Sequence, residues 1–388
     1  MMHKFPLKLE KRLENRKQQN AFRTLGTSND LIDFSSNDYL GFAGNRELFL
    51  KTQQLLEDHE MCLNGATGSR LLSGNHKLYA LAEKEIADFH NSTAALIFNS
   101  GYDANIGFFS SLPQKEDLIF YDELVHASIR DGITMSHSKA YKFKHNDLED
   151  LRKKLGLISA EANSEIYIVT ESVFSMDGDS PDLISLSNFA EEKNYKLIVD
   201  EAHSLGVFGK NGIGLVQQLN LEKKVFARII TFGKALGVHG AVILGGDLLM
   251  QYLVNFCRSF IYTTALSPHS IATIFSGYKL LERQPANKEN TDIKKLHENI
   301  KFFKSEITRL KLQNKFIKSD SAIHCCIIPG NDEVKIIANK IQQEGFNVKP
   351  ILNPTVTKGS ERLRFCIHSF NSKEEITNLL NLMSTFIK

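Results

Sequence analysis

In the stretch TFGKALGVHG, Thr231 to Gly240, a lysine stands among glycines and small residues, between the apolar runs VFARIITF and AVILGG. An amine with so little polar company loses solvation, which lowers its pKa and lets it act as a nucleophile or base. Asp200 directly follows the apolar run LIV, and His203 stands three positions later in DEAHS. A carboxylate at the end of a buried strand is costly unless it meets a cation. Each residue also has a plain structural account: Asp200 as a helix cap, His203 as a core histidine with a satisfied ring, Lys234 as a solvated loop lysine.

Taken together, the lysine and the acid match what pyridoxal 5'-phosphate requires. The lysine holds an aldehyde carbon, and the acid keeps a pyridine nitrogen protonated. Other chemistries lack their residues. A P-loop needs glycine where Arg228 stands and Ser or Thr where Ala235 follows Lys234. No G-x-G-x-x-G joins a strand to a helix near the start of the chain, and no HExxH, GxSxG or Cys/His cluster offers a metal or acyl-serine mechanism. The five cysteines are scattered, as expected of thiols in a reducing cytoplasm. A formal net charge of +2 gives no nucleic-acid footprint. No apolar run approaches the roughly 18 residues of a membrane span.

These side chains need a scaffold that collects strand ends. The segments AALIFNSG, DLIFYDELVHAS, EIYIVTESVFS, YKLIVDEAHS, FARIITFGKA and GAVILGG are short apolar runs, several separated by helical pattern. That alternation is the signature of an α/β domain with a mostly parallel sheet. Ligands of such sheets bind beyond the carboxyl ends of the strands. The polar residues after these runs should therefore share one rim: Ser100 and Gly101, Asp122 and His126, Glu171 to Ser175, Asp200 and His203, Thr231 and Lys234. Gly233 and Gly237 would let the backbone lie close to a ligand. SAIHCCIIPG, FNVKPI, RLRFCIHS and the flanking helical segments read as a smaller α+β domain. The expected division is an N-terminal arm over 1–40, a large domain over 41–272 and a small domain over 273–388. Lys8 to about Phe22 reads as a basic amphipathic helix. Its row Lys4, Lys8, Lys11, Arg12, Arg16 and Lys17 suits a solvated face or an acidic carrier.

VTESVFSMDGDSPDL, IVDEAHSLGVFGKNGIG and TFGKALGVHGAVILGG resemble the α-oxoamine synthase family of pyridoxal-phosphate enzymes, and the likeness runs from FSSNDYLGF to RLRFCIHS. It implies a fold type I, aminotransferase-like architecture with a mostly parallel seven-stranded sheet, and a homodimer. Position by position, it implies that Lys234 bonds the cofactor and moves the substrate α-proton. It pairs Asp200 with the ring nitrogen and His203 with the ring hydroxyl, and stacks His126 on the ring. Ser100, Gly101 and Tyr102 would hold the phosphate at a helix N-terminus. Ser175 and Thr231 would add contacts, and Thr263 or Thr264 would reach the partner subunit's site. Arg364 would hold the amino-acid carboxylate, with Asn37, Thr355 and Arg23 as further substrate contacts.

The resemblance also implies a reaction, the decarboxylative condensation of an amino acid with an acyl thioester carried by coenzyme A or acyl carrier protein. GATGSRLLSGN is similar to the biotin-pathway branch, where serine stands at Ser69 and leaves room for the methyl of alanine. The expected substrates are L-alanine and a pimeloyl thioester. Glycine with an acetyl thioester is the alternative, and a non-catalytic partner subunit would be expected to lack the lysine.

Overall fold

The computed structural model describes residues 5–26, 30–158, 163–289 and 291–387. Contacts divide the chain into two units. The larger comprises 37–175 and 179–297, and the smaller 1–36, 176–178 and 298–388. The segment 273–297 therefore groups with the larger unit, and the N-terminal segment through Ser36 with the smaller.

The larger unit is built on seven strands: β1 (Ala94–Phe98), β2 (Leu118–Asp122), β3 (Lys139–Phe143), β4 (Ile166–Glu171), β5 (Lys196–Asp200), β6 (Ala227–Thr231) and β7 (Ala241–Gly245). Their order is β1-β7-β6-β5-β4-β2-β3. β7 runs antiparallel to β1 and β6, and every other pairing is parallel. β1, β2, β4, β5 and β6 consequently end at the same edge of the sheet.

Successive side chains of a strand leave opposite faces, so a run buried on both sides is apolar throughout. Ile119, Val169, Ile198 and Ile229 pack into one core with helical residues such as Phe108 and Ile129. Phe120, Ile168, Leu197 and Val199 pack into a second core with Leu186 and Leu215. Burying each such side chain contributes about 1.5–3 kcal/mol. Two helices start where the sheet ends. Helix α2 (Gly101–Ser111) follows β1, and its N-cap Ser100 accepts from the Asp103 amide. Helix α3 (Ala127–Met135) follows β2 and is capped by the His126 side chain.

In the smaller unit, β8 (Ile323–Ile327), β9 (Lys349–Ile351) and β10 (Arg362–Cys366) form an antiparallel sheet in the order β9-β10-β8. The N-terminal helix, α1, spans Leu7–Gln18 and buries no residue. It stops short of Phe22 because the chain turns at Asn20, whose φ is +48°. Lys4 of the expected basic row lies outside the described residues. Cys257, Cys325, Cys326 and Cys366 are buried, whereas Cys62 is exposed.

Candidate active site

A cavity of about 210 Å³ lies beyond the shared edge of the sheet, lined by strand ends and by the first turns of the helices that follow them. Gly101, Tyr102 and Asn105 follow β1, His126 and Ser128 follow β2, and Glu171 and Ser175 close β4. Asp200, Ala202 and His203 come from β5, and Thr231 and Lys234 from β6. Of the rim expected from the sequence, Gly101, His126, Glu171, Ser175, Asp200, His203, Thr231 and Lys234 line this cavity, whereas Ser100 does not and Asp122 instead accepts from His145. Asn37, Ser69, Thr263 and Thr264 do not line it.

Asp200 is 5 % exposed, and both its oxygens accept hydrogen bonds. Oδ1 takes the Ala202 amide at 2.9 Å and Oδ2 takes Asn105 Nδ2 at 2.9 Å. Asn105 also donates to Ser128 Oγ at 3.0 Å, and Ser128 Oγ lies 2.7 Å from His126 Nδ1. Neither Asn105 nor Ser128 stands out in the sequence. The available signal was a polar residue buried in the apolar helix GYDANIGFF, one turn after the cap.

His203 is buried, with Nδ1 2.7 Å from the Tyr39 hydroxyl, which reaches Asn37 Oδ1 at 3.3 Å. The loop that carries it is braced from behind. Glu201, fully buried, accepts Arg228 Nε at 2.6 Å, Ser204 Oγ at 2.8 Å and the Val216 amide at 3.0 Å. Arg228 also donates to the carbonyls of His90 and Ile213. Burial, helped by the Arg228 charge, holds His90 well below the usual histidine pKa. Arg228 thus anchors the loop that positions Asp200 and His203.

Glu171, 3 % exposed, accepts the His126 amide at 2.6 Å. Burial pushes its carboxyl well above the usual range, and the Asp200 charge adds to this; Lys234 and the bond from His126 oppose it. His126 as a residue is exposed. Crowding by surrounding atoms still lowers its pKa, with Asp200 opposing and Lys234 reinforcing that shift.

Lys234 is half-buried in the loop between β6 and β7, flanked by the buried Phe232, Ala235 and Leu236. Gly233 is exposed, so the loop is less dry than the sequence suggests. Gly237 has φ +61°, and a side chain there would strike the backbone of Ala43. Its role is close packing on the protein rather than on a ligand. At Gly101 a side chain would meet the Thr231 hydroxyl, so only glycine leaves that part of the cavity open.

The remaining expected residues are placed as follows. The Tyr102 hydroxyl donates to Asp131 at 2.6 Å. Asn99 Nδ2 reaches the Thr264 carbonyl at 2.6 Å and Thr263 Oγ1 at 3.5 Å. Ser69 is 9 % exposed, and its carbonyl accepts the amides of Leu72 and Gly74. In the smaller unit, Arg364 is buried on β10 with Nη1 2.9 Å from Cys366 Sγ. Exposed Arg23 meets exposed Thr355 Oγ1 at 3.4 Å. Arg362, which no motif in the sequence marks, is buried and donates to Asp177 and to the Met176 carbonyl.

The donor set fits pyridoxal 5'-phosphate. It offers an amine for an aldehyde, a carboxylate for a ring nitrogen, a flat imidazole, hydroxyls, and a capped helix N-terminus for a phosphate. A single buried amide oxygen, Asn105 Oδ1, has no partner beside this set. Among the described residues there is no metal-ligand cluster and no helix long and apolar enough to cross a membrane.

Comparison with known proteins agrees with this chemistry. The family profile described as Aminotransferase class I and II matches residues 29–382. The 8-amino-7-oxononanoate synthase of Emericella nidulans is 38% identical over 376 residues, 92% of this chain and 89% of the relative. A solved 8-amino-7-oxononanoate synthase from Francisella tularensis superposes with a TM-score of 0.77 at 31% identity, over 92% of this chain and 98% of the other. A solved structure of SPT with PLP gives a TM-score of 0.84 at 26% identity, over 92% of this chain and 87% of the other. The chain belongs to the aminotransferase class I and II family and, within it, to the α-oxoamine synthases, acyltransferases that depend on pyridoxal phosphate.

Proposed function

We propose that the protein condenses L-alanine with a pimeloyl thioester, of coenzyme A or acyl carrier protein, in biotin biosynthesis. The products are 8-amino-7-oxononanoate, carbon dioxide and the free thiol. One observation carries the choice of substrates: the 38% identity to an 8-amino-7-oxononanoate synthase over 92% of the chain. The cavity is compatible with that reaction because a lysine, two histidines and two carboxyl groups converge there. We further propose that the enzyme works as a cytoplasmic homodimer.

When bound, pyridoxal 5'-phosphate supplies an electron-withdrawing ring that stabilises negative charge at the substrate α-carbon. Lys234 would hold the cofactor's aldehyde carbon, and its Nζ would take and return the α-proton. Asp200, pinned by Asn105 and Ala202, would face the ring nitrogen, and His203, pinned by Tyr39, the ring hydroxyl. His126 would cover one ring face. The α2 N-terminus, with Ser100, Gly101 and Tyr102, would receive the phosphate, Thr231 would add a hydroxyl, and Ser175 would add a contact. Thr263 and Thr264 would complete the partner's site. Arg364 would bind the amino-acid carboxylate, with Arg23, Asn37 and Thr355 as further contacts and Ser69 shaping the room for a methyl group.

Steady-state kinetics with alanine fixed and the acyl donor varied test this reading. Turnover should be fastest with a pimeloyl thioester. Efficient turnover of glycine with acetyl-CoA and none of alanine with pimeloyl thioester would replace it with an acetyltransferase.

A further inference from the structure

We propose that Asn105 and Ser128 form a positioning relay that holds His126 as a neutral imidazole, with Nδ1 the acceptor and the proton on Nε2, while the same amide pins the Asp200 carboxylate. One donor beside the His126 ring has no freedom of direction. The Ser128 backbone N–H can only donate, and it lies 3.3 Å from His126 Nδ1. A ring nitrogen that receives a donor carries no proton. The Ser128 hydroxyl stands 2.7 Å from that nitrogen and itself receives Asn105 Nδ2 at 3.0 Å. Its own hydrogen is thereby left to point at Nδ1.

The amide orientation is equally determined. Asn105 Nδ2 lies 2.9 Å from Asp200 Oδ2, and a carboxylate oxygen accepts. Both amide hydrogens are committed, one to Ser128 and one to Asp200, which is why Asn105 Oδ1 is left buried and unpartnered. The His126 backbone is held as well, because Glu171 Oε1 accepts its amide. The charged and titratable groups around the ring are Asp200 and Glu171 from neighbouring strands, Lys234 from the β6 loop, and Arg130 and Asp131 from its own helix.

The consequence for catalysis rests on the proposed placement of His126 over the cofactor ring; the tautomer itself does not. A neutral imidazole adds no positive charge beside a protonated pyridine, whereas an imidazolium would repel it. One asparagine thus ties the hydroxyl that faces His126 to the Asp200 carboxyl.

The test is nitrogen NMR of the full-length chain, loaded with pyridoxal 5'-phosphate and labelled at the histidine ring nitrogens. Loss of one resonance pair in His126→Gln assigns the signals. At neutral pH, His126 Nδ1 should resonate as an unprotonated nitrogen and Nε2 as a protonated one. Ser128→Ala and Asn105→Ala should each move the His126 titration midpoint upward, with the Ser128 backbone N–H still donating to Nδ1 of the neutral ring. A protonated Nδ1 in the unmodified protein overturns the relay whether or not either variant folds. So does a His126 titration midpoint that stays unchanged in both variants. Turnover of the wild type with alanine and pimeloyl thioester is read separately, so failure of the relay is distinguishable from failure of the proposed reaction.

Discussion

Glu171 and Asp200 are register partners at the ends of two adjacent parallel strands, so two carboxyl groups leave the same face of the sheet side by side. Both are buried, and two like charges that close cannot both be ionised without a large cost. Burial, with the Asp200 charge adding to it, raises the Glu171 pKa well above the usual carboxyl range.

That shift has a measurable sign. A carboxyl protonated in the folded state and ionised in the unfolded state binds more protons when folded, so stability falls as pH rises above the unfolded value. Glu171→Gln mimics the neutral form. Relative to wild type, it should gain stability between pH 5 and pH 8, as measured by urea unfolding. A constant difference across that range would show Glu171 to be ionised.

Lys234→Ala should leave the cofactor-free protein within about 1 kcal/mol of wild-type stability, because the residue is half-buried in a loop. It should abolish borohydride fixation of the chromophore to the Lys234 peptide and reduce turnover by about 10²–10⁴-fold or more. Peptide mapping after reduction and a single-turnover assay check both halves.

His145 is clamped between Asp122, with Nδ1 at 2.9 Å from Oδ1, and Asp179, with Nε2 at 2.9 Å from Oδ2. Burial alone would lower its pKa, but the two carboxylates outweigh it and raise the value to about 10. The stabilisation is therefore complete below the ordinary histidine pKa and is lost as pH rises through about 10. His145→Gln leaves the fully buried Asp122 without its cation and should cost about 3 kcal/mol near neutral pH. Denaturation at pH 7 and at pH 10.5 should show the gap shrinking. Since Asp179 lies just after Ser175 and His145 packs edge-on against Phe174, the loop bearing Ser175 should loosen first, as hydrogen exchange would reveal.

Ser69→Thr adds one methyl to a side chain that is 9 % exposed. If Ser69 leaves room for the methyl of alanine, the kcat/KM ratio of alanine to glycine should fall by about 10–200-fold. An unchanged ratio, with the acyl donor held constant, would remove Ser69 from the determinants of specificity.

Much of the large unit was legible because buried parallel strands are apolar throughout. AALIF, LIFYD, IYIVTE, KLIVD, ARIIT and AVILG are all strands. The seventh, KAYKF, was not picked out from its pattern. It is an edge strand whose two lysines and one alanine stay in solvent, so it lacks the continuous apolar run. The antiparallel sense of β7 was hidden too, since a run reads the same in both directions. Asp200, His203, Lys234 and His126 could be found as polar residues ending apolar runs. Asn105, Ser128 and Tyr39 could not, because their importance lies in which partners they meet across long sequence separations. Gly237 looked like room for a ligand and proved to be room for Ala43.

The cavity draws its walls from five separate strand ends, spread from Gly101 to Lys234. No hairpin or lone βα unit contains enough of it to grip a ligand, so affinity for the cofactor should emerge only when the sheet is assembled in full register. The yellow of the bound cofactor is then a visible gauge of completed folding. In a refolding experiment it should lag behind the return of secondary structure, and saturating cofactor should raise the melting temperature by acting on the finished state alone.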